Sequence, residues 1–405
     1  MAGEISRHCN YLTSKMKLVF ASDSFKGSLS SKRIHEILTE TAHEVLGDCE
    51  IVSVPMADGG EGTLDAIGSV TGGEMVDCVV RDPLGRPVHA EYLVLPDGTA
   101  VVEMAQASGL TLLSAEERNP LKTGTYGTGE LILDAIRRGY RKVTVTLGGS
   151  ATNDGGMGCM RALGVRFLDA EGTELSGCGE DLLRLSRIDV SGLAPEIAGT
   201  DFTLMCDVNN PLCGEHGATY TFGPQKGASG ETLKLLEQGM NNYRDIIKGE
   251  YGTDCDSVPG CGAAGGLGAA LLVFLRGHIR SGIDTVLDLT DFDGIIRDAD
   301  LIITGEGRAD EQSARGKVMQ GIGLRALKQG IPVIGICGSV EKGADELYDQ
   351  GISALYATKP PDMPLDEAML RAEEQYSNTA REVFADLLGS RFSVPPERVS
   401  GRTKK

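Results

Sequence analysis

Short apolar runs that break off into glycine, acid and hydroxyl residues recur along this chain, and most lead into a stretch with helical spacing. From Lys17 the run LVFASDSFKG gives way to SLSSKRIHEILTETAHEVL, where Ile34, Ile37, Leu38, Ala42 and Val45 fall on one helical face, so the spacing predicts strand, loop, helix. EIVSVPMAD repeats the pattern and ends at Asp58-Gly59-Gly60-Glu61, before a helix expected from about Thr63. Near the other end DADLIITGEGRAD, IPVIGICGSV and GISALYAT do the same. Strands alternating with helices require crossovers, and crossovers dictate a parallel sheet with helices on its faces. The middle differs: MVDCVVRDPLGRPVHAEYLVLPDGTAVVEMA alternates around Pro-Leu-Gly and Pro-Asp-Gly, the marks of antiparallel hairpins. The expected fold is therefore α/β. A flavodoxin-like parallel-sheet domain (residues 16–72 and 290–405) carries an inserted mixed α/β domain (residues 73–289), with the active site expected in the cleft between them. Residues 1–15 are charged, lack an apolar core and read as a disordered extension.

Fifty-eight acidic against 39 basic side chains give a net charge of −19, a field that repels nucleic acid and anionic membranes. An anionic ligand then needs a local reversal of sign, from a few placed Lys or Arg, a divalent cation or backbone N–H groups. Ten cysteines show no Cys-x-x-Cys spacing, which points to a reducing compartment. The longest apolar run, Cys261 to Leu275, is shorter than the ~20 residues that span a bilayer. A cytoplasmic protein with neither a nucleic-acid nor a membrane partner is expected, and monomer and homodimer are both open.

Glycine supplies 55 residues, roughly twice the usual share, and the excess is clustered. After the apolar run KVTVTL come Gly148, Gly149, Ser150, Thr152, Asn153, Asp154, Gly155 and Gly156. Such a loop can turn N–H groups toward an anion at the start of a helix, and a tight turn accounts for it equally well. Gly262, Gly265 and Gly266 lead into AALLVFL, either to hold a diphosphate or to let that helix pack closely. No G-x-x-x-x-G-K-[ST] run occurs, and no G-x-G-x-x-G follows a strand, which weighs against P-loop kinases and Rossmann dehydrogenases.

Ligands bind at the strand ends of open α/β sheets, and here those ends carry Asp23, Ser24 and Lys26; Asp58 and Glu61; Asp207 and Asn209; and Glu306, Arg308 and Asp310. Each alone has a structural reading: Asp23 and Asp58 as helix caps, Glu61 as a first-turn acid, Arg308 as the partner of Asp310. Together they offer carboxylates for Mg2+, cations for phosphate or carboxylate, and glycine loops for ATP, the inventory of phosphoryl transfer. Lys226, in Phe222–Ala228, reads more readily as a solvated surface lysine than as a phosphate ligand, and Lys317 ends the Glu306 loop. The six histidines form no cluster and receive no role.

The motifs DSFKGSLS, ADGGEGT, GGSATNDGG, CDVNNPLCG, FGPQKGA, GAAGGLGAAL and TGEGRADEQSARGK stand in the order found in the bacterial branch of the glycerate kinases, which the chain resembles from about Met16 to about Leu388. Met319 stands where relatives commonly place proline, and Cys261 where alanine is usual. The resemblance implies a two-domain α/β kinase with ATP and Mg2+ as partners and D-glycerate as acceptor, phosphorylated at the 2-position, with 3-phosphoglycerate the alternative product. On that reading ATP lies across the Gly148–Gly156 and Gly262–Gly268 loops, and Mg2+ is held among Asp58, Asp154, Asp207 and Glu306. Glycerate meets Ser24, Asp58, Glu61 and Asp310, with its carboxylate gripped by Lys26 or Arg308. Asp207 accepts the hydroxyl proton. The rivals are a kinase for another small hydroxy acid, a non-catalytic nucleotide or metabolite sensor, and a dehydrogenase.

Overall fold

The apolar runs fold as strands and the periodic stretches as helices. The computed structural model describes residues 15–57, 59–60 and 62–389, so the expected extension, apart from Lys15, and the site candidates Asp58 and Glu61 lie outside the described residues. Its two large sheets use, in chain order, β1 (Met16–Ser22), β2 (Cys49–Ser53), β3 (Glu74–Arg81), β4 (Pro87–Val94), β5 (Thr99–Glu103), β6 (Lys142–Thr146), β7 (Asp201–Met205), β8 (His278–Arg280), β9 (Leu301–Gly305), β10 (Val333–Cys337) and β11 (Ala354–Ala357). Contacts within the chain divide it into two compact units, one from residues up to Met56 and from Asp291 onward, the other from Ala57–Thr290. Among the described residues no helix is long and apolar enough to cross a membrane.

In the first unit the sheet order is β11-β10-β9-β1-β2 with every pair parallel. Counted along this unit, that is the flavodoxin-like order 2-1-3-4-5. Leu18, Val19, Phe20 and Ala21 of β1 are all fully buried, as a strand covered on both faces must be. Leu18 and Phe20 join Ile34, Leu38 and Ala42 of the helix Ser31–Leu46 and Tyr376, Ala380 and Phe384 of the helix Ala372–Gly389 in one apolar cluster. Each such Leu or Ile contributes about 1.5–3 kcal/mol by leaving water. Ser30 caps the first of these helices by accepting from Arg33 N at 3.2 Å.

The same helix sets the end of β1 through His35, whose Nε2 accepts the Ser22 N–H at 3.1 Å. Burial pushes the His35 imidazole down to about 4, so it stays neutral and can accept. The unfolded chain, with an ordinary histidine near 6.5, binds the extra proton first as pH falls between those values. Stability is therefore lost in that window. Relative to a His35→Gln variant, the wild type is expected to lose about 2 kcal/mol between pH 7 and pH 5, read from urea unfolding at both.

In the second unit the order is β8-β7-β6-β5-β4-β3. β5 to β8 are parallel, while β4 pairs antiparallel with both β5 and β3. The Pro-Leu-Gly and Pro-Asp-Gly turns connect those antiparallel strands, closed by Asp82 N to Arg86 O at 2.7 Å and Leu95 N to Thr99 O at 2.8 Å. The helix Thr63–Thr71, expected in the first domain, packs on β4, β5 and the helix Gly282–Leu289 of this unit instead. The reason is Glu103, the fully buried last residue of β5. Its two oxygens accept from Gly62 N and Leu64 N, each at 3.3 Å, and cap a helix whose own cap residue, Gly62, has no side chain to offer.

Candidate active site

In the first unit the strand order reverses between β1 and β9, and the crevice at the carboxyl ends of two such strands is where open α/β sheets take ligands. Asp23 N donates to Gly305 O at 2.9 Å, tying the loop after β1 to the end of β9. Ser24 N donates to Asp23 Oδ1 at 2.6 Å. The next four residues form a turn closed by Ser28 N to Phe25 O at 2.8 Å, with Gly27 at φ +84° in its third position. Phe25 is buried edge-on against Tyr376, with ring centroids 5.5 Å apart, and so anchors the turn that exposes Lys26.

From β9 the chain continues through Glu306, Gly307 and Arg308, where Arg308–Ala309 pairs in parallel with Ser339–Val340. Arg308 Nε lies 2.9 Å from Asp310 Oδ2, the ion pair that the neighbouring charges allow. With the arginine side chain 65% exposed, such a pair is weak and exchanges readily for another carboxylate. Asp310 is itself fixed by Gln312 N to its Oδ1 at 2.9 Å and by its N–H to the buried Ser313 Oγ at 3.0 Å. Glu306 is buried, its Oε1 has no hydrogen-bond partner, and Lys317 Nζ stands 3.9 Å from its Oε2. Burial raises its carboxyl above the ordinary range, and Asp23 and Asp310 push the same way, while Ser313 and Lys317 pull it back. The first unit thus brings together Asp23, Ser24, Lys26, Glu306, Arg308 and Asp310 of the expected set.

In the second unit the parallel strands β5, β6 and β7 end at Glu103, at the first glycine run and at Asp207. Gly148 N donates to Gly59 O at 3.2 Å, and a Cβ on Gly148 would stand 2.5 Å from Gly60 Cα, so only glycine permits this approach of two loops. Gly148 and Gly149 remain accessible to solvent, whereas Ser150 to Gly156 are buried. The buried part is held by Leu110 N to Gly149 O (2.9 Å), Ala151 N to Ser108 O (2.9 Å) and Thr123 Oγ1 to Ala151 O (2.9 Å). Asn153 Nδ2 reaches Thr219 Oγ1 at 3.3 Å.

Asp154 does not fit the metal role expected of it. It is fully buried; Oδ2 accepts from Thr125 N (2.8 Å), Thr125 Oγ1 (2.8 Å) and Gly158 N (3.1 Å), and Oδ1 from Gly156 N (3.1 Å). Burial raises its carboxyl although these donors favour the anion, and its geometry is that of an internal tie. Gly262, Gly265 and Gly266 are buried as well, and the second glycine cluster packs against the first. Gly155 N donates to Gly265 O at 3.0 Å, and a Cβ on Gly265 would fall 2.0 Å from Thr152 O. Thr152, Asn153, Gly155, Gly156, Gly262, Gly265 and Gly266 therefore shape the loop from inside and do not line its accessible face.

Lys226 reverses its sequence reading. It is 1% exposed, and its Nζ donates to Ser150 Oγ and Thr152 O, each at 2.7 Å. Burial pulls its ammonium down to about 7, with Asp154 acting in the opposite sense. Asp207 is exposed, and its Oδ1 accepts the Gly282 N–H at 2.6 Å, at the start of the helix Gly282–Leu289. Glu103 and Lys226 are the site-shaping residues that sequence reasoning missed. The signal for Glu103 was a lone acid closing an apolar strand; for Lys226 it was the turn Phe222–Ala228, where a phosphate ligand stood as the second reading, and its burial stayed hidden because its partners lie more than 70 residues away.

A family model described as "Glycerate kinase family" matches residues 18–388. The chain is 44% identical to the "Glycerate kinase" of Bacillus subtilis (strain 168), over 92% of this chain and 98% of that one. It is 43% identical to the "Glycerate 2-kinase" of Escherichia coli (strain K12), with the same coverage of both. The crystal structure of a protein put forward as glycerate kinase 2 of Salmonella typhimurium LT2 superposes with a TM-score of 0.80 at 40% identity, covering 93% of this chain and all of that one. Identity at this level over nearly the whole length, joined to the same fold, leads to one conclusion: the chain belongs to the glycerate kinase family.

Proposed function

We propose that this chain transfers the γ-phosphoryl group of ATP to the 2-hydroxyl of D-glycerate, giving 2-phosphoglycerate and ADP. The observation that carries the reading is the gathering of Lys26, Arg308 and Glu306 at the ends of β1 and β9, where the strand order reverses. In a molecule of net charge −19, the exposed Lys26 and Arg308 supply the local cations that an anionic substrate needs. Lys26 and Arg308 would grip the glycerate carboxylate, Arg308 by exchanging Asp310 for it. In the other unit the accessible main chain of Gly148 and Gly149, beside Gly59 and Gly60, would take the ATP phosphates.

Among the described residues no three His, Cys, Asp or Glu side chains gather as a metal cage. Mg2+ keeps waters and phosphates as ligands and takes one or two carboxylates from the protein. Asp207, exposed at the end of β7, fits as one of them, and the ion when bound would neutralise charge on the transferring group. The proton acceptor in this reading is Glu306 instead of Asp207. The buried Glu306, with its Oε1 lacking a partner and burial raising its carboxyl, is poised for the task, whereas Asp207 is exposed and its Oδ1 already accepts the Gly282 N–H. The described cysteines are free thiols, which supports a reducing, cytoplasmic setting.

The test is ADP release by the purified chain over a panel of small hydroxy acids with ATP and Mg2+. D-glycerate is expected to give the highest kcat/KM. A higher value for another acid would reassign the substrate, and ATP binding with no ADP release on any acid would make the protein a sensor.

A further inference from the structure

The glycine loop after β6 is fastened on several sides, and one fastener is chemically out of the ordinary. Ser108, Leu110 and Thr123 hold Gly149 and Ala151 by neutral hydrogen bonds. Beneath the same few residues the ammonium of Lys226 donates to Ser150 Oγ and Thr152 O. Burying an ammonium is costly unless it is bonded, and the two 2.7 Å bonds are both to this loop. The held residues directly follow the solvent-facing pair Gly148 and Gly149. A hydrophobic side chain of similar length would fill the space more cheaply, so filling space does not explain a lysine here.

We propose that Lys226 is a positioning residue for nucleotide binding: from behind, its ammonium holds the Gly148–Thr152 segment in the shape that receives a phosphate group. This inference rests on the reading that the loop takes the phosphates of ATP.

Lys226→Met keeps the length and apolar volume of the side chain and removes both bonds. Calorimetric titration with ADP is expected to show a Kd raised tenfold or more, and KM for ATP should rise in step, while KM for D-glycerate stays within twofold. Ser150→Ala, which leaves the lysine in place, is expected to weaken ADP binding by a smaller factor. If the lysine acts through Ser150, the double variant will bind ADP no more weakly than Lys226→Met alone. The proposal is overturned if Lys226→Met binds ADP within twofold of the wild type, if both KM values rise alike, or if the two substitutions simply multiply. Should Lys226→Met not fold, Ser150→Ala binding ADP as the wild type does overturns the proposal by itself. A wild type that binds ADP but turns over no glycerate sinks the kinase reading alone, since the effect of Lys226 is read from binding; a wild type that binds no ADP sinks both.

Discussion

Glu306→Gln is expected to lower kcat by about 10²- to 10⁴-fold, the range that a positioned general base supplies. Gln keeps the shape of the side chain but has no oxygen that can take up a proton near neutral pH. The pH profile identifies the role. Because burial raises the Glu306 carboxyl above the ordinary range, wild-type kcat should fall on the acid side at a higher pH than an exposed glutamate would give, as the base becomes protonated. In Glu306→Gln that acid limb should be missing from the residual rate, whereas Asp207→Asn should retain it. If Asp207→Asn abolishes turnover with the limb and Glu306→Gln leaves both intact, the roles revert to those that the motifs alone suggested.

A large loss of stability is expected at Gly265. Alanine there would set its Cβ 2.0 Å from Thr152 O and 2.7 Å from Asn153 Cα, both backbone atoms, at a φ of +66° that L side chains rarely adopt. Either the clash or a retreat of the two glycine clusters from one another must follow. A cost of about 3 kcal/mol or more is expected, lowering Tm by about 6–12 °C, measured by calorimetry. Gly330→Ala is the control: its φ is +71°, but nothing lies within 4 Å of the added atom, so only the backbone strain of about 1 kcal/mol remains. Equal losses from the two substitutions would mean that the close approach of the glycine clusters carries no energetic weight.

What could be read from the sequence followed the range of the interaction concerned. The parallel sheet of the first unit announced itself because the centres of β1, β9 and β10 are covered on both faces and are apolar in consecutive residues, while the helix after β1 repeats Ile34, Leu38 and Ala42 on one face. The antiparallel strands were visible in their turns, where local chemistry decides the geometry. The place of the helix Thr63–Thr71 was not, because Glu103, which draws it into the second unit, is remote in sequence. Glycine clustering showed where something must come close, without saying whether the visitor is a ligand or another strand of backbone. For Gly148 and Gly149 the accessible side is open to solvent, and for Gly265 the visitor is Thr152. Asp154 and Lys226 misled for the same reason, since a carboxylate in a glycine loop and a lysine in a turn resemble surface residues until partners such as Thr125 and Ser150 are known.

Transfer to the 2-hydroxyl is read directly by 31P and 13C NMR of the product formed from ATP, Mg2+ and D-glycerate by the purified chain. A phosphomonoester whose phosphorus couples to carbons 1, 2 and 3 of glycerate alike, as only a phosphate on carbon 2 can, is expected with ADP in equal amount, whereas 3-phosphoglycerate would show no coupling to carbon 1. Unchanged glycerate after ATP has been shown to bind would contradict the account.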